Sequence, residues 1–274
     1  MKLPPRERRA VSPAISTVIL TGAIIVLLSV AIVFANNFLN ARMAEDEFNA
    51  VKQFMQSVAL QMDDVAWTIG RTQTIRYACK FGAVDFEQAV LTYTVFVNGT
   101  VCLGNYTTGA LLFNMPIDKY SVGNGYYEDV FPSNRSFLHV GASAPVGRVY
   151  VVEKIPMYDG GFVRVVVVPT IRMFNSTISL GGNVTNYYKF YLPVLSSGVH
   201  SYKSQSVTLT GRSVSVETGG AYSVKISVSF PMAEAGFDSG FFNFQSRVVE
   251  MNVPSGSVVE FYTGDVAVSL GLHA

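Results

Sequence analysis

Charge is scarce in this chain: Asp, Glu, Lys and Arg make up 14% of its 274 residues, against 49% hydrophobic. Twenty Lys and Arg stand against 19 Asp and Glu, and no basic block follows the first nine residues. The electrostatic footprint that nucleic acid requires is therefore missing, and nucleic acid is excluded as a partner. Cysteine is rarer still. Two cysteines exclude a disulfide-dense scaffold and are too few for a zinc site unless histidines help, and His139, His200 and His273 show no ligand spacing. There is no G-x-S-x-G, no H-E-x-x-H, no P-loop and no dinucleotide fingerprint. Asp63 and Asp64 are adjacent carboxylates, but helical neighbours point about 100° apart, which reads as a solvated face rather than an acid–base dyad. Tyr126-Tyr127 and Tyr187-Tyr188 read as core and strand positions before adhesive surface. The expectation is a protein that is not an enzyme and holds no metal and no cofactor.

What is there begins with the run from Ala14 to Ala35, AISTVILTGAIIVLLSVAIVFA, which lacks charge, proline and any strongly polar group. As a helix its ~22 residues rise roughly 33 Å, enough to cross a hydrocarbon core of about 30 Å. The run is too long for a conventional secretory signal, whose apolar region spans about 7–15 residues. A buried globular helix rarely stays apolar on every face for so many turns. Lys2, Arg6, Arg8 and Arg9 precede the span while Glu45, Asp46 and Glu47 follow it, which places the N-terminus in the cytoplasm and the long C-terminal part outside. Ser12 is suited to cap the helix, with Pro13 at its first position.

The stretch Arg8-Arg9-Ala10-Val11-Ser12-Pro13 and the apolar helix after it resemble the class III signal and assembly helix of archaeal type IV pilins and archaellins. The resemblance covers residues 1 to about 45. It implies that a prepilin-type membrane peptidase removes residues 1–10, cutting after Ala10 in the region Arg8, Arg9, Ala10 and Val11, so that Val11 becomes the N-terminus. Bacterial relatives typically carry a glutamate early in the mature helix; positions 11–35 contain no acid, as is common in the archaeal branch. The implied partners are other copies of the chain, other pilin-like subunits, the pilus assembly machinery and the membrane. Ser12, Ser16, Gly22 and Ala23 would permit close helix approach.

Beyond the membrane run, Phe48, Val51, Met55, Val58, Met62, Val65 and Ile69 are spaced alternately three and four apart, a heptad seam. One helix is therefore predicted from about Pro13 to Ile69, within a segment 11–78 whose membrane part is 14–35 and whose amphipathic part is 36–70. From about Phe81 onward the period changes. Leu91–Val97, Arg148–Glu153, Phe162–Val168, Tyr187–Leu192, Ser206–Glu217, Val224–Phe230, Arg247–Val253 and Val258–Tyr262 read as strands, with Val163–Val168 the best central one. The fold class expected is α+β, a long helix followed by a mainly antiparallel β-sandwich head over 79–274. A seam near 195–200 could divide that head in two.

Five N-glycosylation sequons stand at Asn98, Asn105, Asn134, Asn175 and Asn183, more than the Asn and Ser/Thr content would place by chance. Cys79 and Cys102, outside the cell, are candidates for a disulfide closing a loop of about 24 residues, worth roughly 3 kcal/mol in the chain-entropy model; two free thiols are the alternative. Two functions follow. One is a major or minor structural subunit, or an adhesin-like variant given the large head, that polymerises through its N-terminal helix into a surface filament. The other is a permanently anchored extracellular binding or sensor domain.

Overall fold

The computed structural model describes residues 13–154, 161–180, 183–200, 205–231 and 240–271. Helix α1 runs from Pro13 to Ala66 without interruption. Proline suits its first position because a fixed φ costs the helix nothing there and the missing N–H has no intrahelical partner to lose. The helix stops where the Thr68 N–H folds back on the Val65 carbonyl at 3.2 Å and Gly70 turns to φ 81°, a left-handed conformation that a side chain would resist. The chain divides at Glu45/Asp46 into two units, the first holding the apolar part of α1 and the second everything after it.

In the second unit the heptad seam does what its spacing predicts, with one exception. Phe48, Val51, Met55, Val58, Met62 and Val65 are each at most 1% exposed, whereas Ile69 is 68% exposed because the helix has already ended. Burial of each such side chain stabilises the fold by roughly 2 kcal/mol.

Among the described residues eleven strands follow: β1 (Thr72–Arg76), β2 (Ala83–Val97), β3 (Val101–Pro116), β4 (Tyr127–Phe131), β5 (Leu138–Val140), β6 (Gly147–Glu153), β7 (Phe162–Pro169), β8 (Ile171–Leu180), β9 (Asn183–His200), β10 (Ser206–Ser229) and β11 (Val248–Leu270). They form one hydrogen-bonded sheet in the order β4-β6-β7-β3-β2-β10-β11-β9-β8-β5, with β1 also on β10. All pairings are antiparallel except β9 with β11 and β5 with β8. The fold class is α+β, as expected; the head is a single sheet where a sandwich calls for two.

The physical reason lies in β10 and β11, which are 24 and 23 residues long. Ser206–Glu217 and Val224–Phe230 read as separate strands in the sequence, yet the first and most of the second belong to β10. Arg247–Val253 and Val258–Tyr262 likewise merge into β11. At one end these strands place Val207, Leu209, Val266 and Val268 in a core shared with the amphipathic part of α1. Further along β10, Val224, Ile226 and Val228 enter a second core with Leu112, Val166 and Phe190. Alternate residues of β3, β6 and β7 feed the two cores from opposite faces, so β6 is buried at all seven positions and β7 reads as a valine run. The anticipated seam near 195–200 does not exist: Leu195 is a core residue in the middle of β9, and residues 46–274 form one unit. Strand β1 falls within the segment 11–78 that was expected to be helical.

Two glycines let α1 approach the sheet. A Cβ on Gly211 would stand 2.5 Å from the Val65 carbonyl oxygen and 2.6 Å from that of Thr68, and one on Gly264 would collide with the Ala66 carbonyl. Gly211 instead exchanges backbone hydrogen bonds with Gly70 and Arg71, locking the helix end to β10.

Candidate functional site

The first unit supplies a chemically simple feature. Every side chain from Ile15 to Met43 is exposed, including Val18, Leu20, Leu27, Phe34 and Phe38. Apolar surface this extensive on all faces of a helix exceeds what a soluble monomer tolerates in water, so it must be covered by lipid or protein. By length and composition this is one helix able to cross a membrane. The few polar atoms suit that setting: Ser29 donates its hydroxyl to the Ile25 carbonyl at 2.9 Å, satisfying it within the helix. Among the small residues proposed for close approach, Ser16, Gly22 and Ala23 are exposed, and nothing lies within 4 Å of a Cβ added at Gly22. The apolar stretch ends at an exposed ion pair, Arg42 with Glu45 at 2.8 Å.

In the second unit, α1 is tied to the head by charge as well as by its seam. Glu47 accepts hydrogen bonds from the backbone N–H groups of Lys80 and Phe81 at 2.8 and 2.9 Å and from the Cys79 thiol at 2.8 Å. Sequence alone read Glu47 only as an acid following the span; its placement clamps the loop between β1 and β2. Lys52 reaches Glu128 of β4 at 3.3 Å. Asp63 accepts from Trp67 Nε1 at 2.7 Å and from Arg172 of β8 at 2.8 Å, while Asp64 pairs with Arg71 at 2.6 Å. The two aspartates serve different partners: Asp64 is exposed, as a solvated face implies, whereas Asp63 is half-buried.

Compared with family models, with curated proteins and with solved structures, the chain has no match. Its function must be read from its own residues.

The leader-cleavage region Arg8, Arg9, Ala10 and Val11 lies outside the described residues. Cys79 and Cys102 are free and are not brought together. Cys79 lies at the end of the sheet where Ala83 faces Asn114, whereas Cys102 faces Phe96 at the other end of the β2–β3 pair. Twelve residues of strand, roughly 40 Å, separate those ends, far beyond the approximately 7 Å a disulfide allows between Cα atoms. Burial, then the Glu47 carboxylate, push the Cys79 thiol up to about 12. Held so, the thiol serves as a hydrogen-bond donor to Glu47.

Of the sequons, Asn105 on β3, Asn134 in the β4–β5 loop and Asn175 on β8 are exposed. Asn98 is committed elsewhere: at φ 54° in the β2–β3 turn it gives its amide to the Gly220 carbonyl at 3.0 Å and accepts the Tyr222 N–H at 2.8 Å. Asn183 opens β9, with its side chain outside the description.

Sequence reasoning missed a polar cluster inside the head. Arg148 of β6 is fully buried, donating to the Phe242 carbonyl at 2.7 Å, to Asp129 at 2.7 Å and to the Tyr127 hydroxyl. Tyr150 and Phe244 pack against its guanidinium. Burial pushes the Asp129 carboxyl up, but Arg148 and Arg135 outweigh it and hold the group below its usual value. His139 on β5 is 5% exposed, and burial, with Arg148 nearby, lowers it to about 4. Arginine within a valine-rich strand was the available signal. The cluster ties β4, β6 and residues 241–244 together. Among the described residues no group of three or more His, Cys, Asp or Glu is placed to hold a metal.

Proposed function

We propose that this chain is a structural subunit of an archaeal type IV pilus-like surface filament, held in the membrane by α1 before assembly and packed through α1 against other copies afterwards. The observation that carries this reading is one continuous helix that is apolar and exposed on every face through its first half and amphipathic through its second. A helix of the first kind needs an apolar environment, lipid at first and neighbouring helices later, and its small residues suit the second. The second kind seats a head, and the seam from Phe48 to Val65 does so here. The basic segment before Ala10 supports removal of a leader by a prepilin-type peptidase, with the N-terminus cytoplasmic and the head outside. The single sheet, whose strands β3, β7, β9 and β10 share one core, we read as a sandwich-like pilin head. Asn105, Asn134 and Asn175 are its accessible glycan acceptors. The large head suits an adhesive or minor subunit.

N-terminal peptide and intact-mass spectrometry on sheared filaments and on membranes tests the proposal. A filament fraction starting at Val11 supports it. An intact start at Met1 or Lys2 confined to membranes overturns it in favour of a permanently anchored surface domain. Leu27→Asp puts a charge into the apolar helix, at a cost of roughly 3 kcal/mol in a membrane, and should abolish filaments; abundant filaments from this variant would also sink the reading.

A further inference from the structure

Strand β10 is flanked along most of its length by β11 on one side. Among the described residues, strands pair with its other side at the two ends only, β1 opposite Ser206–Thr210 and β2 opposite Val224–Ser229. Between them, Gly211 is bonded to Gly70 and Arg71, and Gly220 and Tyr222 are bonded to the Asn98 side chain. From Arg212 to Gly219, no strand among the described residues pairs with this edge, and residues 212–218 are exposed. Both limits of the gap coincide with bulges in the β10–β11 register, at Gly211/Ser213 and Ala221/Ser223. The gap is about eight residues, or roughly 27 Å.

Backbone groups alternate sides along a strand, so Val214, Val216 and Thr218, in phase with Gly220 and Tyr222, turn their N–H and C=O groups to the open edge. Their side chains share one face. Val214 and Val216 are 37% and 49% exposed, and Val216 stands opposite Tyr262 of β11. Tyr262 stacks on Tyr191 at 4.8 Å and Tyr191 on Phe174 at 5.6 Å. An apolar row thus crosses β8, β9 and β11 and ends at Val216 on an unpaired edge. On the opposite face Glu217 is exposed.

We propose that this gap is a strand-addition site for a separate extended polypeptide, antiparallel to β10, with apolar residues opposite Val214 and Val216 and a basic residue opposite Glu217. Unpaired backbone groups in register are satisfied by another extended backbone, and the alternation of valines with Glu217 specifies the side chains. A second copy of β10 does not fit, because each copy carries its own β1 and β2 one strand outward on either side of the gap. The occupant is a slender strand whose length the gap sets. This inference is independent of filament assembly.

The test uses the full chain in detergent micelles and a fluorescent peptide of about eight residues in which valine alternates with threonine and one threonine is replaced by lysine. Saturable binding, measured by anisotropy against empty micelles, is expected, with slowed hydrogen exchange at 214, 216 and 218. Val216→Lys should weaken it measurably, by up to about fivefold. Glu217→Lys sits on an exposed face and should fold whatever Val216→Lys does; it should reverse the preference for the lysine peptide over its glutamate counterpart. Absence of saturable binding, or an unchanged preference in Glu217→Lys, overturns the proposal. So does protection of 214–218 that grows with protein concentration without peptide, since a second copy would then be the occupant.

Discussion

Acid should weaken the head through His139. The imidazole sits on β5 with its Nε2 buried and unbonded, and burial together with Arg148 lowers it from the ordinary 6.5 to about 4. In the unfolded chain it protonates near pH 6.5, and in the native head only near pH 4. Between those values the unfolded state binds more protons, so stability rises with pH and is lost as pH falls from about 6.5 towards 4. At roughly 1.4 kcal/mol per pH unit, about 2 kcal/mol disappears between pH 7 and pH 5. Urea unfolding of the detergent-solubilised chain reads this directly. The single tryptophan, Trp67, packs edge-on against Tyr191 at 5.1 Å and reports on the helix–sheet contact. His139→Leu removes the titration and should flatten the pH dependence over that interval, whatever its stability at pH 7. Equal slopes in the parent and in His139→Leu would refute the assignment.

Three further outcomes are expected. Alkylation with iodoacetamide at pH 8, followed by peptide mapping, should label exposed Cys102 and spare Cys79, whose thiol is held near 12, and non-reducing electrophoresis should show no internal disulfide. Met55→Ala should lower unfolding free energy by about 2–5 kcal/mol, whereas Ile69→Ala, in the same heptad series, should change it by less than about 0.5 kcal/mol. Asp129→Ala leaves the buried Arg148 without its carboxylate and should cost roughly 3–5 kcal/mol, while the double change with Arg148→Met recovers much of that loss; a double variant no more stable than the single one would show that the pair is not coupled.

Local patterns were legible where one element alone decides them. The alternating three and four spacing after Phe48 predicted the buried face of α1 up to Val65, and it failed at Ile69 because the chain turns at Gly70. The valine run at 163–168 identified an interior strand. The joins were less legible. Val216 and Val224 looked like members of different strands because the stretch between them contains Gly219 and Gly220, residues that usually mark a turn, yet β10 continues through them with a bulge at Ala221/Ser223. The cysteine pair reads as a candidate disulfide because both cysteines lie outside the cell; the long β2–β3 hairpin carries them to its opposite ends.

Sequence by itself determined that an apolar helix opens this chain, that its next turns are amphipathic and that a strand-rich head follows, because hydropathy and periodicity act over neighbouring residues. Tertiary structure alone decided that the head is one sheet rather than two, that Glu47 clamps the loop after β1, that Arg148 is buried with Asp129, and that eight residues of β10 have, among the described residues, no strand on one of their two edges. Each of these depends on which distant segments meet, and that is set by the joint packing of both faces of the sheet.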